Sequence, residues 1–224
     1  LYYVLFHVPG IIIQAFLVAL LLNQPVKFRA VFRTCFYLPS ITAGVASAII
    51  WVWLLNPEIG VVNNALRLVG IQGPDWLGST KWAKPALIIM AQWGFGGTMV
   101  LYLAGLQGIP DVFYEAAKID GANAWQRMLN ITIPLMTPTI FLTVIMQIIG
   151  SFQVFTSAMV MTGGGPANAT LFYLLYLYRQ AFGYSRMGYA SALAWVLFII
   201  LLVLTLGQFQ LSRRWVYYEG EKPA

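Results

Sequence analysis

The chain of 224 residues is 60% hydrophobic and 9% charged, with a mean hydropathy of +0.75. Soluble domains lie nearer half apolar and a quarter charged, so this composition excludes an ordinary soluble fold and defines a membrane protein. The net charge of +6 reads as a topology signal in loops rather than a nucleic-acid footprint, and the single cysteine, Cys35, excludes an intrachain disulfide and a zinc cluster.

A bilayer core of about 30 Å takes roughly 20 apolar residues as helix. Residues 1–22 are the first such stretch. They lack the basic leading region of a signal peptide and run directly into a basic loop, so they are read as a span. The loop 23–33 carries Lys27, Arg29 and Arg33 and no acid. Residues 34–55 are the second span, and its small residues "TAGVAS" (42–47) suit helix packing. After the loop 56–84, residues 85–106 form the third span, with a glycine-rich bend from Gly94 to Gly97. A polar segment, 107–134, precedes the fourth span, 135–161. The loop 162–188 holds "LFYLLYLY" (171–178), which is too short to span and is predicted to lie at the interface. Residues 189–211 are the fifth span. None of the five contains Asp, Glu, Lys or Arg. In lipid the backbone must pair within itself, so the fold class is all-α. Pro9 and Pro138 are expected near span ends, where a missing donor costs least.

Loops 23–33 and 107–134 and the tail after residue 211 carry eight Lys or Arg, against five in loops 56–84 and 162–188. That bias puts the first group in the cytoplasm. Five spans with an internal C-terminus put Leu1 outside. Together with the missing initiator Met, this predicts a further span ahead of Leu1.

The polar segment 107–134 is therefore a cytoplasmic loop. Pro110 suits a first helical position. Val112, Ala116 and Ile119 share one face, Gly121 permits a sharp turn, and Asp120 is expected to cap a second helix. In that helix Ala122, Trp125, Leu129 and Thr132 are expected on one face, and Pro134 to end the unit. The small pair Ala116–Ala117 beside Glu115 allows a partner surface to approach closely. A solvated connector between two spans is the competing explanation.

Glu115-Ala116-Ala117, three residues, Gly121, nine residues, Ile131 and Pro134 resemble the EAA loop of ABC importer permeases, with Ile133 where that family usually has Leu. "FYLPSITAGVASAIIWVWLLNPEIGVVNNAL" (36–66), "LAGLQGIP" (103–110) and "MTGGGPANAT" (161–170) resemble its carbohydrate-importing branch. The resemblance implies a type I ABC importer permease fold with six spans in complete members. It implies a second, related permease subunit and two ATPase subunits. One ATPase docks on each EAA loop, here through Glu115, Ala116, Ala117, Asp120, Gly121 and Ala122. It also implies an extracytoplasmic solute-binding protein, and a location in a bacterial or archaeal cytoplasmic membrane. ATP and Mg belong to the partner ATPases. This chain lacks the phosphate-binding pattern G-x-x-x-x-G-K-[ST], so it is not expected to be an enzyme and needs no cofactor of its own.

Gly163-Gly164-Gly165-Pro166 is read as a turn that folds the outer loop toward the pore or the binding protein; a plain flexible connector competes. For the solute path, Thr143, Gln147 and Ser151 recur at i+4 with Gly150 on the same side, and Phe152 and Phe155 lie at the rim. Gln92 and Trp93 precede the bend of the third span. Helix–helix bonding is the competing role for these side chains. His7, the only histidine, suits a bond to a neighbouring helix better than a proton relay. A secondary transporter would need ionisable groups in the spans, which hold none but His7, and a glycerol-phosphate-type ABC permease is a further alternative solute class. A membrane enzyme would need a catalytic set that the chain lacks.

Overall fold

The computed structural model describes residues 1–25 and 27–217. Of the basic residues counted for topology, Lys222 lies outside them. All the regular structure described is helical. Three stretches are long and apolar enough to cross a membrane unaided: Tyr2–Asn23, Ala124–Met161 and Met187–Ser212. Two bent pairs, Arg29–Ile41 with Gly44–Leu54 at 98° and Ala83–Gln92 with Gly96–Gln107 at 42°, bring the number to five if each pair counts as one span.

Helix α1 (Tyr2–Asn23) runs through the middle of the bundle and packs on four later helices. Pro9 sits inside it, not at an end. The second expected span is not one helix. It is α2 (Arg29–Ile41) and α3 (Gly44–Leu54), joined at a corner. Pro39 cannot donate to the turn before it, and Thr42 and Ala43 adopt extended backbone with ψ of 135° and 130°. The Thr42 hydroxyl donates back to the Leu38 carbonyl at 3.0 Å and closes the end of α2. Helix α2 also starts earlier than expected, which takes Arg29 and Arg33 out of the loop and onto a helix.

The loop 56–84 holds α4 (Val61–Leu68) and is a folded cap. Its centre is Asn63, 1% exposed, which accepts from Trp76 Nε1 at 2.6 Å and donates to the carbonyls of Pro74 and Pro57 at 3.1 and 3.3 Å. The third span is α5 (Ala83–Gln92) and α6 (Gly96–Gln107), bent where the glycines were expected to allow it. At Gly96 a Cβ would stand 2.2 Å from the Phe36 carbonyl oxygen, so α6 meets α2 backbone to backbone.

Helix α7 (Asp111–Ile119) and the short α8 (Ala124–Arg127) form the polar loop. Pro134 does not end that unit. Helix α8 continues through a π-turn, Met128–Thr132, into α9 (Ile133–Phe152) without a break. The wider turn lies just before Pro134, the residue whose N–H is missing. Pro138 is likewise internal, not terminal. The carbonyl it leaves unbonded, that of Pro134, accepts the Thr137 hydroxyl at 2.6 Å. The fourth span breaks at residues 153–155, before α10 (Thr156–Met161). Helix α11 (Tyr173–Tyr178) occupies the expected short aromatic run and is extended by a π-turn, Arg179–Gly183. Helix α12 (Met187–Ser212) packs on that turn, on α11 and on α9.

Two buried clusters hold the bundle. In one, Ala15 and Ala19 of α1 are fully buried against Met99 and Tyr102 of α6 and Met136 of α9. Small residues on α1 let the helices approach closely, which lipid would not otherwise drive. The other joins Tyr3, Leu55, Trp76, Leu87, Met161 and Leu175. It gathers the start of α1, the cap and the loop 162–188 at one end. The opposite end holds Arg29, Arg33 and Gln107 around one cleft.

Candidate coupling loop and solute path

In α7 no residue is buried, and Glu115 and Ala116 are exposed. Pro110 is the N-cap, one position before its expected place. The helix ends on Asp120, and Gly121 turns the chain with φ +78°. The Gly121 amide donates to the Lys118 carbonyl at 3.1 Å and the Ala122 amide to the Ala117 carbonyl at 2.8 Å. These two bonds define a left-handed glycine C-cap. Asp120 therefore closes the first helix and does not cap the second. That cap is Asn123, whose side chain accepts from the Gln126 amide at 2.9 Å while Gln126 Oε1 accepts from the Asn123 amide at 2.8 Å. The spacing Asn-x-x-Gln is a capping box that was legible in the sequence and was missed.

The face expected from Ala122, Trp125, Leu129 and Thr132 does not survive the π-turn, which shifts the register. Thr132 is buried and bonds the Tyr114 hydroxyl at 2.9 Å, whereas Trp125 is 63% exposed. Glu115, Ala116, Lys118, Ile119 and Trp125 are among the exposed residues of the unit, carried by a helix hairpin that is tied to α9.

The polar stripe of α9 faces α6. Thr143, 1% exposed, shares a hydrogen bond with the Tyr102 hydroxyl at 2.5 Å, and Gln147 Nε2 donates to Thr98 Oγ1 at 3.0 Å. Ser151 donates to the Gln147 carbonyl at 2.6 Å. Gln92 is held elsewhere: its Nε2 donates to the His7 carbonyl at 3.0 Å. A Cβ at Gly10 would lie 2.5 Å from that nitrogen, so glycine is what admits Gln92 against α1. Two buried atoms here have no partner among the described residues, Gln92 Oε1 and His7 Nδ1. The His7 ring stacks on Tyr3 at 5.1 Å, and the Gln147 side chain lies beside it. Trp93 is 37% exposed and meets Trp51 edge-on at 6.0 Å. The two sets of candidate path residues therefore approach each other at His7, which sequence reasoning assigned to packing. Thr98 and Tyr102, their bonding partners, were not singled out.

In the loop 162–188, Gly163 and Gly164 take φ of +55° and +85°. The Arg179 guanidinium donates to the Gly163 carbonyl. Thr170 donates to the Gly165 carbonyl at 2.8 Å and pairs with the Thr162 hydroxyl at 2.6 Å. Gly163-Gly164-Gly165-Pro166 is therefore a pinned turn.

Residues 10–217 match the family described as binding-protein-dependent transport system inner membrane component, and the chain belongs to that family. It is 45% identical over 224 residues to the probable ABC transporter permease protein YesP of Bacillus subtilis (strain 168), covering 98% of this chain and 72% of that protein. It is 38% identical over 214 residues to the lactose transport system permease protein LacF of Rhizobium radiobacter, covering 92% and 72%. Among solved structures, a bacterial alginate ABC transporter in complex with alginate pentasaccharide-bound periplasmic protein matches with TM-score 0.83 and 29% identity, over 94% of this chain and 73% of that one.

Proposed function

We infer that this chain is a permease subunit of an ABC importer for carbohydrate and forms half of the translocation path. Relatives named for lactose, arabinooligosaccharides and sulfoquinovosyl glycerol support the solute class. The observation that carries the mechanism is the hairpin closed at Gly121 and continuous with α9. A second permease subunit completes the path. Two ATPase subunits dock on the hairpins through Glu115, Ala116, Ala117 and the Asp120–Gly121–Ala122 turn. ATP is hydrolysed on those partners, and the force reaches this chain by contact. A binding protein delivers solute at the other face, near the Gly163–Pro166 turn. The complex resides in a bacterial or archaeal cytoplasmic membrane. Co-expression with the ATPase, the second permease and the binding protein, followed by reconstitution, tests this reading. ATP-dependent uptake of a labelled sugar is expected. Uptake by this chain alone, driven by an ion gradient, would replace it with secondary transport.

Solute contact by the α9 stripe has its own test. Gln147→Ala and Ser151→Ala should each lower sugar uptake at equal membrane abundance, Gln147→Ala by about tenfold, as for one lost hydrogen bond to solute. Stimulated ATPase activity should persist. Unchanged uptake in both variants would leave the Gln147–Thr98 bond as helix packing alone.

Sidedness is predicted from the charge bias. Cysteines placed at Ser79 and at Lys118 in a chain without Cys35 should differ in intact cells: an impermeant thiol reagent labels position 79 and not 118. The reverse pattern would invert the topology.

A further inference from the structure

A cleft of about 500 Å³ opens where α2 begins and α6 ends, lined by Arg29, Ala30, Arg33, Thr34 and Gln107. Neither the coupling hairpin nor the solute path uses it. Its chemistry is cationic: two arginines one turn apart, with no acidic residue in 23–33 to neutralise them. Arg29 Nη2 is buried and has no hydrogen-bond partner among the described residues. A buried guanidinium nitrogen left unpaired is costly, and an oxyanion with several acceptor atoms would remove that cost. The start of α2 adds to this. The Phe32 amide is the first to close a helical turn, on the Phe28 carbonyl at 3.2 Å. The amides of the first turn before it point out of the helix end, where the dipole favours negative charge. Gln107 offers a neutral donor on the cleft wall, whereas the Thr34 hydroxyl is already given to the Ala30 carbonyl at 3.0 Å.

We propose that this cleft binds the phosphate of an anionic phospholipid headgroup. The surroundings select lipid over a free anion. Phe28 is 78% exposed, Val31 57% and Phe32 45%, so the arginines sit beside an uncovered apolar surface on a chain that crosses the bilayer. A headgroup in the cleft would lay its acyl chains along these residues, and basic pockets between spanning helices suit such ligands. The two arginines hold the phosphate through planar forks, a geometry that lysine does not reproduce.

The test uses the assembled transporter in nanodiscs of phosphatidylcholine with or without phosphatidylglycerol, and native mass spectrometry of the released complex. Retention of phosphatidylglycerol over phosphatidylcholine is expected. The double variant Arg29→Ala/Arg33→Ala should weaken that retention by about 5- to 30-fold, as for the loss of two surface cations. Arg67→Ala, on the cap, should leave it unchanged. Equal retention of neutral and anionic lipid by the unsubstituted complex would overturn the proposal, and this measurement stands even if the double variant fails to assemble. Displacement of phosphatidylglycerol by millimolar inorganic phosphate with the acyl contacts playing no part would also overturn it, in favour of a free-phosphate site.

Discussion

Replacing Gly121 by valine will uncouple ATP hydrolysis from uptake, with transport falling at least about tenfold. The cause is the backbone and not crowding: φ is +78°, yet nothing lies within 4 Å of a Cβ built there. An L-residue in this conformation costs about 1–2 kcal/mol, and a β-branched one is a stronger outlier. Valine would relieve that strain by opening the turn, which breaks the bonds to the Lys118 and Ala117 carbonyls and splays α7 from α8. Gly121→Asn is the control, since asparagine tolerates the left-handed region, and it should keep most of the transport. Uptake, ATPase activity and co-purification of the ATPase, measured on both variants, check this. Equal transport by the valine and wild-type chains would remove the turn from the coupling mechanism.

Gly96→Ala will have the largest effect on accumulation of the protein. The added Cβ would meet the Phe36 carbonyl oxygen at 2.2 Å and the Tyr37 Cα at 2.8 Å, both main-chain atoms of α2. A flexible side chain could move aside, but a helix backbone must shift as a body. Overpacking of this kind costs about 3 kcal/mol or more, a large share of typical domain stability. Membrane abundance should drop several-fold. The next residue supplies the control: nothing lies within 4 Å of a Cβ at Gly97, so Gly97→Ala should accumulate normally. Immunoblotting of membranes at matched expression distinguishes the two.

What could be read from the sequence follows from what each signal measures. Apolar runs without charge located the three unbroken spans and the two bent helix pairs, because the need to pair the backbone in lipid leaves only helix. The motif spacing located the hairpin, and Gly121 turned as expected because only its φ was at issue. Geometry that depends on contacts between distant segments was not legible. The corner between α2 and α3 falls in a run without charge, and hydropathy does not report direction. Pro134 was expected to stop a helix, but a π-turn just before it carries the chain through. Asp120 and Asn123 are both good caps, and the bonds made by Gly121 and Ala122 decide between them. For the candidate path, the i+4 pattern found the face of α9 without indicating that Thr98 and Tyr102 stand opposite it. The Asn63–Trp76 bond at the heart of the cap joins residues that no periodicity connects.

The unbroken run from α8 through the π-turn into α9 has a mechanical consequence. Trp125, on the hairpin, and Gln147, on the polar stripe, lie 22 positions apart on one rod, about 33 Å at 1.5 Å per residue. A rod has no slack. With the rod pivoting at the hairpin, a tilt of about 10° carries Gln147 sideways by roughly 6 Å, about one helical pitch. That stroke exceeds the reach of the Gln147–Thr98 bond, so a torque that tilts the rod about its hairpin end must either take α6 with it or break the bond to Thr98.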